Sequence, residues 1–244
     1  MDTPGLEWTV ITWNIQGSKP TDLARLCAVI AAEGPDVVVL QEVQRRQARK
    51  LASGLSMQHS WVEKHNPWRP VLPRRAEGAA ILTPHFLEDP DSAVISEETS
   101  KRSYKRRIAM WALVRRCDGS AYRVINGHLS PHNLTQHRRD EAKRIATIAQ
   151  DLGDSPPTIV AGDFNDAGDP SIISTLPGIE ALPAPLSNPA GTPYQAIDHV
   201  LVPADAISVS VSAPGGSARW ANLSDHLPVT VRFALDRVQD EVAG

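Results

Sequence analysis

The sequence contains few cysteines, few aromatic residues and no long apolar run. Its 244 residues include two cysteines, and aromatic side chains make up 5% of the chain. Two cysteines cannot build the disulfide framework of a small secreted protein. The longest apolar stretches, at 27–32 and 37–40, are far below the roughly 20 residues of a membrane-spanning helix. Because no basic segment followed by an apolar one opens the chain, no signal peptide is predicted, and we expect a cytoplasmic protein that does not insert into a membrane.

The remaining composition is that of an ordinary globular protein, with 41% hydrophobic and 22% charged residues. A chain of this length can bury a sizeable core without disulfide bonds. No Gly/Ser-rich linker and no internal repeat divides it. We expect one domain over residues 1–244, with its core at about 8–234 and a short C-terminal tail. We also expect a monomer.

The charges are unevenly distributed along the chain. Residues 1–150 carry 22 basic and 16 acidic side chains, whereas residues 151–244 carry 3 and 12, which together give the formal net charge of −3. This division is what a basic phosphate-binding surface beside an acidic metal site would produce. From charge alone, solvated charges that cluster without a function are the favoured interpretation.

Strand-like and helix-like patterns alternate along most of the chain. Runs of β-branched, aromatic or continuously apolar residues predict strands at 8–13, 37–40, 78–82, 108–115, 122–126, 158–161, 197–202, 207–211 and 228–234. Apolar periodicity predicts helices between 21 and 34, at 44–53 and at 133–152, and the segments 64–77 and 177–193 are predicted as loops. Hairpin-like strand pairs combined with strand–helix alternation favour a sandwich of sheets flanked by helices.

Polar residues able to do chemistry recur at the ends of the predicted strands. They are Asn14, Gln41, Glu42, His128, Asp163, Asn165, Asp198, Asp225 and His226. Strand ends present side chains to a shared crevice in α/β sheets. A single Asp or Asn at such a place is more often a turn former, but a set this rich in carboxylate, amide and imidazole groups indicates a functional site.

Four members of this set are hard oxygen donors, namely Asn14, Glu42, Asp163 and Asp225. Oxygen ligands suit Mg²⁺ or Mn²⁺ rather than zinc. A divalent ion could neutralise a phosphate and polarise its P–O bonds. The chain has no GxSxG, Walker A or HExxH motif that would indicate another chemistry.

The histidines of the set suit proton transfer. His226 and His128 could move protons or stabilise charge near neutral pH. Asp198 could orient an imidazolium, as carboxylates do in other catalytic pairs. His199, the next residue, points to the opposite face of its strand, and we interpret it as structural.

The strings TWNIQG, LQEV, EGAAIL, NGHLSP, GDFN, IDHVL and SDHLPV follow one another in this order over residues 8–234. In order and spacing they resemble the endonuclease/exonuclease/phosphatase superfamily, which has the deoxyribonuclease-I-like fold. The resemblance implies a four-layer α/β sandwich, with two mixed β-sheets packed face to face and helices on the outside. It also implies Mg²⁺-dependent hydrolysis of phosphoesters, with Mn²⁺ expected to substitute.

The resemblance assigns roles to residues on the metal side of the site. Asn14 and Glu42 correspond to metal-site residues, with Glu42 the principal ligand, and Asp225 is a further metal-site carboxylate. Asp163 corresponds to the residue that orients or deprotonates the attacking water. Asn165 corresponds to a contact to the phosphate and the transition state.

Other roles concern the histidines. Asp198 is similar to the carboxylate that pairs with the catalytic histidine, here His226. His128 matches a position used for phosphate contact or leaving-group protonation. One departure concerns the metal site, because Gln16 stands where many nucleases of the superfamily have an aspartate.

Substrate contacts are expected from basic segments. These segments lie at 45–50, 69–75 and 101–107. Arg107 directly precedes a predicted strand and Arg75 lies shortly before another, so both could reach a phosphate. Tyr104 and Trp68 could stack on a base. A solvated basic surface explains the same segments equally well.

The sequence leaves three functions open. A nuclease that cleaves DNA is the first hypothesis, because a complete site is accompanied by basic segments. A phosphatase or phosphodiesterase for a small phosphoester, nucleotide or lipid headgroup is the second, since the fold does not determine the substrate. A binding module without catalytic activity is the third.

Overall fold

The computed structural model describes residues 7–66, 72, 75–131, 133–166, 168–180 and 182–235. The predicted stacking residue Trp68 lies outside these ranges. The strands are β1 (Trp8–Asn14), β2 (Val37–Gln44), β3 (Gln58–His65), β4 (Glu77–Thr83), β5 (Phe86–Val94), β6 (Ile108–Arg115), β7 (Ala121–His128), β8 (Thr158–Asp163), β9 (Asp198–Leu201), β10 (Ala206–Ser212) and β11 (Val229–Leu235). The helices are α1 (Leu23–Glu33), α2 (Arg45–Gly54), α3 (Thr135–Leu152), α4 (Pro170–Thr175) and α5 (Ala218–Ala221).

The strands form two mixed sheets. The first has six strands in the order β10-β11-β1-β2-β4-β3, and the second has five in the order β5-β6-β7-β8-β9. Each sheet contains one parallel pair, β1 with β2 and β7 with β8, and its other pairs are antiparallel.

Hydrophobic contacts arrange these sheets and helices as four layers. Alternate residues of a strand point to opposite faces, so Val10 of β1 packs between the sheets while Ile11 packs outward. The outward cluster of the first sheet includes residues of α1 and α2, and that of the second sheet includes residues of α3 and α4. The predicted sandwich of two face-to-face mixed sheets with outer helices is therefore confirmed. No helix among the described residues is long and apolar enough to cross a membrane.

The strands that sequence patterns miss are β3 and β5, one at an edge of each sheet. The predicted loop at 64–77 is wrong at both ends, because Lys64 and His65 belong to β3 and Glu77 begins β4. An edge strand pairs on one side only and tolerates charged residues and proline. Neither edge strand therefore has the apolar alternation by which a strand is recognised.

Strand register brings the predicted site residues to one end of the sandwich. In the first sheet Asn14 pairs with Gln41. In the second sheet Asp163 pairs with both His128 and Asp198. The residues that end β1, β7 and β8 therefore lie together with the start of β9, as expected for side chains at the ends of parallel strands.

Candidate active site

Asp163 is the centre of the site and links the two sheets. Its Oδ2 accepts a hydrogen bond from Asn14 Nδ2 at 3.0 Å, and Oδ1 accepts one from the backbone N–H of Asn165 at 3.1 Å. The Nε2 atoms of His128 and His226 lie 3.6 Å and 3.7 Å from Oδ2. Burial raises the pKa of Asp163 to about 7, against the opposing effect of His226. A carboxyl group with such a pKa can accept a proton near neutral pH.

His226 and Asp198 form a buried pair beside this centre. His226 Nδ1 lies 2.8 Å from Asp198 Oδ2, and the Ser187 hydroxyl donates to the same oxygen at 2.6 Å. The backbone oxygen of His226 accepts a hydrogen bond from Trp13 Nε1 at 2.9 Å. Burial lowers the pKa of His226, but the charges of Asp198 and Asp163 outweigh it and raise that pKa to about 10. His226 is therefore an imidazolium at neutral pH, and its Nε2 faces Asp163.

His128 has the opposite electrostatic environment. Burial and the positive charges of Lys64 and Arg107 hold its pKa well below the ordinary value. Its buried Nδ1 has no hydrogen-bond partner among the described residues. A neutral imidazole can donate one hydrogen bond through its N–H, but it lacks the additional proton that an imidazolium could transfer to a leaving group. Of the two roles implied by the resemblance, phosphate contact therefore suits His128 better than protonation of a leaving group.

Glu42 is the best candidate for a metal ligand. It lies at a bulge where β2 shifts register against β4, and its φ of 51° is in the left-handed region. Strained backbone and bulges often re-aim side chains at functional sites. Among the described residues its carboxylate forms no hydrogen bond and no ion pair, so both oxygens are free to bind a hard cation.

Gln16 connects the other two predicted metal residues. Its Nε2 donates to Asp225 Oδ2 at 2.7 Å, and its backbone N–H donates to Asn14 Oδ1 at 3.1 Å. The amide thus holds Asp225 in place without adding a negative charge. The oxygen donors of Glu42, Asn14 and Asp225 fit Mg²⁺ or Mn²⁺.

Distance alone selects a different group of possible ligands. Within the described part of the chain, ligand atoms of Asp163, Asp198 and His226 all lie within 4.8 Å of one another. The bond between His226 and Asp198 already engages two of these atoms. Asp163 is the member of this group outside that bond, and its carboxylate could therefore also contact a cation bound by Glu42.

The described contacts do not bring every predicted residue into the site. Arg107 is 6% exposed and its positive charge acts on His128, so it belongs to the site. Arg75 and Tyr104 are exposed, and no described contact joins either side chain to the site. His199 belongs to a separate network, as expected.

The sequence patterns miss two side chains that the structure places in the candidate site. Lys64 is 4% exposed and acts electrostatically on His128, but it falls in a segment predicted as loop. Ser187, which is buried and bonded to Asp198, lies in the proline-rich segment 177–193. Only their contacts in the folded chain identify them, because neither belongs to a recognisable motif.

The chain is similar to proteins of one family. The profile of the "Endonuclease/Exonuclease/phosphatase family" matches residues 11–226. The uncharacterized protein YbhP of Escherichia coli K12 is 26% identical over 177 residues, which cover 68% of this chain and 66%, just under two thirds, of that protein.

Several solved structures share the fold. The endonuclease/exonuclease/phosphatase from Bacteroides vulgatus has a TM-score of 0.75 and 22% identity, with 94% of this chain and 99% of that one covered. The mannosyl-6-phosphatase of Bacteroides thetaiotaomicron has a TM-score of 0.70 and 19% identity, with 93% of this chain and 100% of that one covered. TDP2 from Caenorhabditis elegans has a TM-score of 0.70 and 18% identity, with 96% of this chain and 77% of that one covered. The chain belongs to the endonuclease/exonuclease/phosphatase family, whose members are hydrolases that act on phosphoester bonds.

Proposed function

We propose that the chain hydrolyses phosphoester bonds with the help of Mg²⁺, or Mn²⁺ in its place, by in-line attack of water on phosphorus. The observation that carries this proposal is the contact between a buried carboxyl group that can accept a proton, Asp163, and an imidazolium, His226, whose Nε2 lies 3.7 Å from it. A base for water and a fixed positive charge for the developing phosphorane are thereby side by side.

The chain's own residues divide the reaction between them. Asp163 orients the attacking water and accepts its proton. His226, held by Asp198, meets the negative charge that develops on the non-bridging oxygens. Asn165 uses one amide hydrogen on the carbonyl of Leu129, at 3.1 Å, and offers the other to the phosphate. His128 contacts the phosphate as a neutral donor.

Glu42, Asn14 and Asp225 would hold the metal ion. A bound ion would supply charge neutralisation and polarisation of the P–O bond. The free carboxylate of Glu42 and the oxygen-only donor set support this assignment.

The first candidate substrate is DNA, cleaved at its phosphodiester bonds. The basic segments of the first 150 residues support nucleic acid as the partner, because Lys and Arg bind phosphate backbones without reading sequence. A small phosphoester is the second candidate. It is supported by the similar fold of a mannosyl-6-phosphatase and by the buried cations Lys64 and Arg107. A cytoplasmic location and a monomeric state remain predictions.

An activity panel tests the proposal. Purified protein is incubated with plasmid, single-stranded oligonucleotides, nucleotides and sugar phosphates, each with Mg²⁺, Mn²⁺ or a chelator. We expect metal-dependent release of product from at least one of these classes, with the Asp163→Asn variant as the inactive control. Absence of turnover on every ester, together with no Mg²⁺ binding by calorimetry, would support the binding-module hypothesis instead.

A further inference from the structure

Two buried cations beside the active site lack the partners that buried charges normally have. Lys64 is 4% exposed and Arg107 is 6% exposed. Among the described residues, neither side chain forms a salt bridge or a hydrogen bond, and the Nε of Arg107 is a buried donor without an acceptor. Buried charges are generally paired or they bind an ion, since leaving them alone is costly. The missing partner is therefore expected to be an anionic ligand.

A backbone irregularity turns the side chain of Lys64 inward. Lys64 is the extra residue of a β-bulge, because Glu63 pairs with Gly78 and His65 pairs with Glu77. A bulge bends the strand and redirects a side chain. The cation on β3 thus results from a specific irregularity of the edge strand.

The neighbouring arginines have different tasks. Arg106 Nη1 donates to the backbone oxygen of Glu63 at 2.9 Å and also to that of Lys64, so it braces the bulge. The backbone N–H of Arg107 donates to the Ser96 hydroxyl at 2.8 Å, and among the described residues its guanidinium group plays no such role, because its buried Nε has no acceptor. Although the Nε of each arginine is buried without an acceptor, Arg106 contacts the bulge through Nη1, whereas no described hydrogen bond engages the guanidinium group of Arg107.

Carboxylates of the proposed site act electrostatically on both cations. Burial, followed by the charge of Arg107, lowers the pKa of Lys64 to about 8, while Glu42, Glu77 and Asp163 oppose this. Burial lowers the pKa of Arg107, while the negative charges of Glu141, then Asp163, Glu42 and Glu77, oppose this effect. Both side chains are positively charged at neutral pH and lie within electrostatic reach of the proposed base and the proposed metal ligand.

We propose that Lys64 and Arg107 form a subsite for the unesterified oxygens of a phosphomonoester, so that a terminal phosphate is preferred over an internal phosphodiester. This proposal rests on the phosphoester hydrolase function proposed above. A terminal phosphate can enter past the surface to buried cations, because only one of its oxygens carries an organic group, whereas an internal diester carries two. It also has a charge near −2 at neutral pH, which two cations match better than the single charge of a diester.

The reaction at such a site releases inorganic phosphate. The oxygen of water forms a bond to phosphorus and its proton passes to Asp163. The P–O ester bond breaks, its electron pair stays with the ester oxygen, and that oxygen takes up a proton from solvent to become an alcohol. The monoester could belong to the end of a nucleic acid strand or to a small molecule.

A binding experiment tests the subsite without turnover. Thermal unfolding of the full chain is followed with increasing inorganic phosphate or dimethyl phosphate, with and without Mg²⁺. Because a ligand of the native state raises the Tm with concentration, we expect inorganic phosphate to stabilise the protein and dimethyl phosphate to bind at least about 10-fold more weakly. Equal binding of the two anions by the unaltered protein would overturn the proposal.

Variants locate the binding. Lys64→Met and Arg107→Met should each weaken phosphate binding about 10- to 100-fold, whereas Lys143→Met, a matched control on the exposed side of α3, should bind as the unaltered protein does. Without phosphate, Lys64→Met should unfold at the same or a higher temperature, because removing an unpaired buried charge relieves its desolvation. Undiminished phosphate binding in both site variants, or loss of folding in both, would overturn the proposal.

Kinetics then separate this proposal from the function on which it rests. We compare kcat/KM for 5′- and 3′-phosphorylated oligonucleotides, a nucleoside monophosphate and a sugar phosphate with that for unphosphorylated oligonucleotides. Monoesters should be favoured at least about 10-fold, and Lys64→Met should remove that preference. Turnover of diesters alone would refute the subsite only, whereas no metal-dependent turnover of any ester would refute the hydrolase. The monoester with the highest kcat/KM identifies the source.

Discussion

Replacing Asp198 by asparagine tests the pairing that we consider central to catalysis. In the native protein Asp198 is fully buried, and its Oδ2 faces His226 Nδ1 at 2.8 Å and the Ser187 hydroxyl at 2.6 Å. Asparagine keeps the shape and one acceptor oxygen but removes the charge. The largest effect that raises the pKa of His226 is thereby lost, while burial, which lowers that pKa, remains. We therefore expect the pKa of His226 to fall from about 10 toward its ordinary value.

The size of the effect follows from linkage. A pKa raised from 6.5 to about 10 corresponds to roughly 5 kcal/mol in favour of the charged histidine, of which Asp198 supplies only part. Breaking a buried pair by removing one partner costs about 3–5 kcal/mol, so we expect a loss of about 3 kcal/mol in the free energy of unfolding near pH 6. Because the folded pKa is the higher one, this contribution is complete below pH 6.5 and disappears as the pH rises toward about 10. The difference between native protein and variant should shrink over the same range.

Two assays and one matched control decide the outcome. NMR titration of histidine ring protons in metal-free protein measures the pKa of His226, and the pH dependence of kcat should show an alkaline limb that moves to lower pH in the variant. Asp166→Asn is the control, because Asp166 lies 3.0 Å from His199 in a second buried pair. The control should lower the pKa of His199 and the stability, but leave the pH dependence of kcat unchanged. An unchanged pKa of His226 in the Asp198→Asn protein would refute the reasoning.

Three further predictions concern the base, the metal and the fold. Asp163→Asn should lower kcat by about 10²- to 10⁴-fold in steady-state assays, as is typical for loss of a general base, and a variant that keeps most of its kcat would place the base elsewhere. Glu42→Gln should weaken Mg²⁺ binding in calorimetry at least about 10-fold, and native affinity in this variant would exclude Glu42 as the principal ligand. Gly78→Ala should destabilise the protein by about 1–3 kcal/mol in urea unfolding, because the added Cβ would lie 1.9 Å from the backbone oxygen of Val62 and 2.8 Å from the Trp61 ring. Native stability there would mean that β3 can move away from β4.

The central strands of the fold could be predicted because the spacing of apolar residues in their sequences indicates both the strand and the faces that it buries. The run of valines in β2 is buried on both faces, and such a strand reads as continuously apolar. The edge strands carry no such signal. β5 contains Pro90 between two aspartates, and it forms a strand because β6 offers a partner, which is tertiary context that a sequence window does not contain.

The residues of the candidate site that belong to sequence motifs could be predicted. Asp163 and Asp198 are each attached to a strand end, and the pairing of those strand ends in one sheet places them side by side. Lys64 could not be predicted, because its inward direction depends on a bulge that exists only when β3 pairs with β4. Tyr104 shows the converse: a basic segment favours substrate contact on composition alone, yet the residue is 66% exposed and no described contact joins it to the site.

The uneven distribution of charge along the chain is also found among the buried residues of this site. The buried cations Lys64 and Arg107 come from the basic first 150 residues, whereas Asp163 and Asp198 come from the acidic remainder. The first pair flanks the neutral His128 and the second pair flanks the charged His226, so two histidines near one carboxylate have opposite protonation states. Such a divided environment can hold an anionic substrate on one side and stabilise its transition state on the other. Exposed charges elsewhere need no such explanation. A charge has a large desolvation cost only when it is buried, whatever its sign, and that cost has to be compensated.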